Sequence, residues 1–235
     1  MLHSVITEHI AKVRQQVEQA CYKYGRNPSE VKILAVSKTQ PAEAIRMAAS
    51  TGQQAFGENY LQEALQKQQA LADLPDLEWH FIGSVQSNKT RDIAENFTWL
   101  HTLDRQKIAK RLNDQRPADL PRLKVLIQVN ISNETSKAGI ASTEALDFAK
   151  QLLQLPRLEL CGLMCIPKAS KNFTEQRQAF AQLAALQQKL AQALPELNLN
   201  TLSMGMSGDL EAALAEGSTL VRIGTAIFGE RKAKI

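Results

Sequence analysis

A chain of 235 residues with 44% apolar side chains can bury a full core, as one large domain or two small ones. Its net charge of +4 is scattered rather than blocked, which excludes a nucleic-acid stripe or a polybasic membrane patch as the basis of function. Cys21, Cys161 and Cys165 form neither a zinc nor a disulfide spacing, and no apolar run has the length of a signal core or a membrane span, so a soluble protein of the reducing cytoplasm is expected.

The first segment, His3 to Tyr24, carries Val5, Ile6, Ile10, Val13 and Val17 at helical spacing and stops at Gly25. After the turn Asn27-Pro28-Ser29, the run Val31 to Val36 reads as a buried strand. A regular alternation follows. Helices are predicted over 42–50, 60–71, 88–95, 105–114, 142–153, 173–193 and 210–215. Strands are predicted at 55–57, 78–83, 99–102, 123–130, 158–164, 201–204 and 218–224. About eight strands separated by helices describe a (β/α)8 barrel, here a single domain over 1–235 with an extra N-terminal helix. The competing open doubly wound sheet is disfavoured, because no Gly-x-Gly-x-x-Gly follows the first strand.

Barrel chemistry sits at the carboxyl ends of the strands, so the polar residues that end each apolar run are the candidates. The first strand ends in Ser37-Lys38-Thr39. A lysine there resists burial as an ammonium, which favours a neutral amine able to attack a carbonyl; the alternative is a lysine that snorkels to solvent. Asn59 and Asn88 precede helices and could serve as caps. His80 alternates with Trp79 and Phe81 and faces either the barrel interior or the helix layer. Lys137 lies in a polar loop after the fifth strand. Cys161 and Cys165, four apart on one strand, are expected on one face as core, with no metal set around them. The strongest local signal is a pair of Gly/Ser-rich strand-to-helix turns, Ser203 to Asp209 and Val221 to Gly229, where free N–H groups and helix dipoles favour a phosphate. Arg222, inside an apolar strand, needs acceptors for its hydrogen bonds. A reactive lysine, a phosphate cradle and an arginine together suit a phosphorylated carbonyl compound.

The runs Leu34 to Thr39, Phe56 to Tyr60, Trp79 to Gly83, Gln86 to Lys89, Gly162 to Met164, Ser203 to Ser207 and Val221 to Gly229 together resemble the pyridoxal phosphate homeostasis protein family across nearly the whole chain. That family resembles the barrel domain of alanine racemase (a fold-type III pyridoxal phosphate protein) without its second domain. The resemblance implies that Lys38 forms the Schiff base with the cofactor and that Arg222 faces the pyridine nitrogen. It further implies that Ser207, Gly224 and Thr225 hold the phosphate and that Asn59 and His80 lie on the cofactor side. Lys137 becomes a candidate for a transient second attachment. An arginine does not readily give up a proton, so the pyridine stays neutral and is a weak electron sink.

Three functions are therefore weighed. The first is a carrier that stores, delivers or buffers pyridoxal phosphate in vitamin B6 homeostasis, a monomer serving recipient apoenzymes without robust catalysis. The second is a pyridoxal phosphate-dependent amino-acid racemase, which needs a base on each face of the cofactor. Tyr22, Tyr24 and Tyr60 are the only tyrosines, and none is obviously placed for that role. The third is a Schiff-base aldolase acting through Lys38 alone. The first is the reading adopted.

Overall fold

The structure, a computed structural model, describes residues 2–132, 134 and 137–229. Eight parallel strands close on themselves in chain order: β1 Lys32–Val36, β2 Ala55–Glu58, β3 Glu78–Phe81, β4 Trp99–Leu103, β5 Leu123–Gln128, β6 Leu158–Met164, β7 Thr201–Ser203 and β8 Leu220–Ile223. The helices are α1 Leu2–Lys23, α2 Ala42–Ala49, α3 Leu61–Ala70, α4 Thr90–Asn96, α5 Gln106–Gln115, α6 Ala145–Leu152, α7 Phe173–Ala193, α8 Leu210–Ala215 and α9 Thr225–Phe228. The barrel expected from the alternating pattern is thus present. No helix among the described residues is long and apolar enough to cross a membrane.

Period-two alternation divides each strand between two cores. On β1, Leu34 packs inside the barrel with Ala55, Leu220 and Ile82, while Ala35 faces outward toward Ala44, Ile45 and Ala48 of α2. The register of β1 on β8 pairs Leu34 with Arg222, which puts the arginine inside the barrel. Helix α1 lays Ile6, Ile10, Val13, Val17, Ala20 and Cys21 against that outer core, spacings of three and four that keep one stripe buried. Val5, counted in the apolar stripe from sequence, falls off it and is 42% exposed.

Two expectations are corrected. Neither Asn59 nor Asn88 caps a helix: Tyr60 precedes α3, and Asn88 sits within a short 3-10 turn, Ser87–Lys89, ahead of α4. Cys161 and Cys165 are both buried, yet they do not share a face. The register of β6 on β5 slips between Leu160 and Gly162, so Cys161 joins Trp99, Leu126 and Met164 inside the barrel while Cys165 joins the outer core. Gly162 makes the slip possible. Its φ is +153°, and a β-carbon there would stand 1.9 Å from the carbonyl oxygen of Thr201 on β7. The substitution Gly162→Ala should therefore cost on the order of 3 kcal/mol of stability or more. Urea denaturation checks this, and a wild-type midpoint would mean that the irregularity relaxes freely.

Candidate active site

At the carboxyl end of β1 the alternation sends Ser37 toward the helices and Lys38 toward the barrel mouth. Val36, Lys38 and Gln40 line one cavity with Gly224, Thr225, Phe228 and Gly229, which follow β8. Lys38 is half-buried there. Gly224 lets the two loops approach: an added β-carbon would sit 3.3 Å from the carbonyl oxygen of Val36 and 3.5 Å from its Cβ. Helix α9 starts at Thr225, and the first N–H groups of a helix lack intrahelical acceptors, so they are available to an anion. Three of the sequence-predicted residues, Lys38, Gly224 and Thr225, are thereby gathered around one space that offers an amine and an anion cradle.

Arg222 lies one layer deeper and is 5% exposed. Its Nη1 donates to the carbonyl of Ser203 at 2.6 Å and to Ser203 Oγ at 2.8 Å, and its Nη2 donates to the carbonyl of Cys165 at 2.9 Å. Burial lowers its pKa, but a guanidinium starts so high that it stays charged. The carbonyls at the ends of β6 and β7 hold it in place.

Ser203 Oγ also meets Nδ1 of His101 at 2.9 Å; His101 Nε2 meets Nδ1 of His80 at 2.9 Å; and His80 Nε2 meets Glu78 Oε2 at 3.3 Å. Glu78 is in turn held by Lys32 at 2.8 Å, near the amino ends of β1 and β3. A continuous hydrogen-bonded chain thus crosses the barrel from its floor to Arg222. Its direction follows from the charges at its ends. Hydrogen bonds from His80 and Lys32 hold the Glu78 carboxyl down at about 2, so it is an acceptor. Burial pushes His80 down to about 4 and His101 well below its usual range, so both rings are neutral. His80 must then donate from Nε2 to Glu78, accept at Nδ1 from His101 Nε2–H, and leave His101 Nδ1 to accept from the Ser203 hydroxyl. Ser203 keeps its lone pair for Arg222. His80 also stacks on Trp99, with ring centroids 5.3 Å apart and 5° between planes, which fixes its orientation.

The remaining sequence-predicted residues are dispersed. His80 lies inside the barrel two hydrogen bonds removed from Ser203. Asn59 follows β2, with its backbone against Gly83, where an added β-carbon would stand 2.2 Å from the Asn59 carbonyl oxygen; its Oδ1 is buried with no hydrogen-bond partner. Ser207 is exposed at the tip of the β7–α8 loop and lines a neighbouring groove with α1 and α7 rather than the Lys38 cavity. That loop is closed by Asp209, whose Oδ1 accepts the Met206 N–H at 2.6 Å. Lys137 pairs with Glu134 at 2.8 Å in the β5–α6 loop, of which Asn133, Thr135 and Ser136 lie outside the described residues. Sequence reasoning assigned no individual role to His101, Ser203, Glu78 or Asp209, the second and fourth entering only as the ends of a Gly/Ser-rich turn. The first two were findable, since His101 alternates with Trp99 on one face of β4 and Ser203 ends β7.

Ring 15N NMR tests the direction of the chain. At pH 6 both His80 and His101 should be neutral with the proton on Nε2, and a charged ring at that pH would contradict the assignment. The linked stability has a definite sign. The unfolded rings take up protons near 6.5 whereas His80 resists until about 4, so these histidines destabilise the fold as pH falls through that window, by about 3 kcal/mol for a shift of this size.

Residues 9–232 match the family described as "Alanine racemase, N-terminal domain". The chain is 56% identical over 228 residues to the pyridoxal phosphate homeostasis protein of Pseudomonas aeruginosa, covering 97% of this chain and 96% of that one. It superposes on PipY of Synechococcus elongatus, a structure with pyridoxal phosphate bound, with a TM-score of 0.84 and 40% identity over 95% of this chain and all (100%) of the other. An alanine racemase from Corynebacterium glutamicum, at 19% identity and a TM-score of 0.69, shares the fold. The chain belongs to the alanine racemase N-terminal domain family and, within it, to the pyridoxal phosphate homeostasis proteins.

Proposed function

We propose that this protein binds pyridoxal 5′-phosphate as a Schiff base on Lys38 and stores, delivers or buffers it, without robust catalysis. The observation that carries the reading is the convergence of Lys38 with Gly224 and Thr225 on one cavity, with Arg222 held in the layer beneath. These residues suit the cofactor. The amine would take the aldehyde, the first turn of α9 would hold the phosphate, and the glycine leaves room where a side chain would crowd Val36. Asn59 Oδ1, buried and unpartnered, is an acceptor with capacity to spare at the same end of the barrel.

When bound, the cofactor supplies an aldehyde and a ring able to withdraw electrons. The protein restrains the second capacity. Arg222 is a cation clamped by three acceptor contacts and backed by a chain that ends in a carboxylate, so it would offer a ring nitrogen a hydrogen bond rather than a proton. Racemisation also needs a second proton carrier. Tyr22 is 71% exposed on α1, and Tyr24, just past that helix, is bonded to Glu211. Tyr60 is at the carboxyl end of β2 and is the tyrosine on which a racemase reading rests. Exchange of an amino acid's α-hydrogen with deuterium, lost in Tyr60→Phe, would favour that reading. Lys137, paired with Glu134, is assigned the lesser role of a transient second attachment point.

The test is the visible spectrum of purified protein before and after borohydride, with Lys38→Ala in parallel. Wild type should be yellow and bleach, with the cofactor retained on the Lys38 peptide and a minor fraction on Lys137, while Lys38→Ala should show no such band. Thr225→Glu, which puts a carboxylate in the anion cradle, should weaken binding at least about tenfold, or about 1.4 kcal/mol. A wild-type protein that stays colourless with added cofactor would overturn the reading.

A further inference from the structure

Lys38 directly precedes a residue held in an unfavourable backbone conformation. The N–H of Gln40 donates to the carbonyl of Ser37 at 3.0 Å, and Thr39 has a φ of +66°. Lys38 is not among the positive-φ residues, so Ser37-Lys38-Thr39-Gln40 is a type II turn with Lys38 second and Thr39 third. Glycine or asparagine normally fills the third position, because a β-branched residue is strained there. Thr39 is the one non-glycine residue with positive φ among the described residues. Such strain persists only where the surroundings over-determine it.

The surroundings are an ionic cluster on the helix side of β1, buried at Lys67 and Glu58 and partly exposed at Glu63. Glu63 Oε1 accepts the Thr39 N–H at 2.5 Å and the Lys67 ammonium at 2.6 Å. Lys67, 5% exposed, also donates to the Ser37 carbonyl at 2.8 Å and to Glu58 Oε1 at 2.8 Å, which uses all three of its hydrogens. The Ser37 hydroxyl donates to the same Glu58 oxygen at 2.6 Å. These bonds fall on Ser37 and Thr39, the two residues that flank Lys38. A buried lysine with two carboxylates is no better for stability than apolar packing of the same shape, so its placement on this turn asks for another reason.

We propose that Lys67, with Glu63 and Glu58, is a positioning device that holds the strained turn and so aims the Lys38 amine at the cavity it shares with Gly224 and Thr225. Resting on the cofactor reading above, this assigns to the cluster the speed with which the protein captures pyridoxal phosphate and gives it up. Lys67→Met removes the ammonium and keeps the stem. Burial already raises the Glu58 carboxyl, and its Oε2 is unpartnered, so in that variant Glu58 takes up a proton instead of remaining as a bare buried charge.

The experiment mixes cofactor-free protein with pyridoxal phosphate and follows the rise of the visible band, then its loss to hydroxylamine, for wild type, Lys67→Met, Thr39→Gly and the double variant. Hydrogen exchange of the Thr39 amide is read in the cofactor-free forms. Lys67→Met should capture at least about tenfold more slowly and lose Thr39 protection. Thr39→Gly should capture at the wild-type rate, and in the double variant it should restore capture to within about twofold, since glycine adopts the turn unaided. A cluster that merely stabilises the fold would not be rescued in this way. Should Lys67→Met not fold, Glu63→Ala with Glu63→Gln as its rescue takes its place, because the amide oxygen still accepts from Thr39. Capture by Lys67→Met at the wild-type rate, or no rescue by Thr39→Gly, overturns the inference while leaving the cofactor reading intact. A wild type with no visible band overturns both.

Discussion

A guanidinium sealed inside a barrel is the constraint from which the rest of the site follows. Arg222 is charged at any physiological pH, and an unpaired buried charge would cost several kcal/mol. It is tolerated because three acceptors at the ends of two strands meet its needs: β6 and β7 present carbonyls, and Ser203 of β7 adds a hydroxyl oxygen. Ser203 can accept only if its own proton goes elsewhere, and His101, His80 and Glu78 take the bond in turn, down to the ion pair with Lys32 at the floor. The interior of this barrel is therefore polar along one path and apolar around it, with Trp99, Leu126, Cys161 and Met164 packed on one side.

The mouth is built around that fixed cation. A cofactor whose ring nitrogen faces Arg222 has a hydrogen-bond donor that keeps its proton, which suits holding an aldehyde more than stabilising a carbanion. The Lys38 amine proposed to hold it would be aimed by its backbone rather than by its side chain's own contacts alone. Thr39 in a left-handed conformation and the Lys67–Glu63–Glu58 cluster stand on the helix side of β1, while Lys38 reaches to the other. One strand end thus separates the supporting groups from the chemistry, as period-two alternation allows.

Much of this was legible in the sequence, where it depended on neighbours along the chain. The eight apolar runs and their separating helices are local features, and so are the residues that end them, which is why Lys38, Gly224 and Thr225 could be assembled before any contact was known. What was hidden depends on contacts through space or on register. His101 reads as one more polar residue in a strand until it is placed between His80 and Ser203. Lys67 reads as an ordinary helix-surface lysine, because nothing nearby in sequence says that it is 5% exposed. The slip at Gly162 defeats the four-residue spacing that put Cys161 and Cys165 on one face. Ser207 ends an exposed Gly/Ser-rich turn that lines the groove beside α1, a placement that only the fold reveals.

The central proposal is that Arg222 would donate a hydrogen bond and no proton to the ring nitrogen of bound pyridoxal phosphate. It is tested most directly by 15N NMR of protein loaded with cofactor labelled at that nitrogen. A chemical shift in the range of a neutral, hydrogen-bonded pyridine, unchanged between pH 6 and 8, is the expected result. A pyridinium shift in that range would contradict the claim and return the protein to the class of active catalysts.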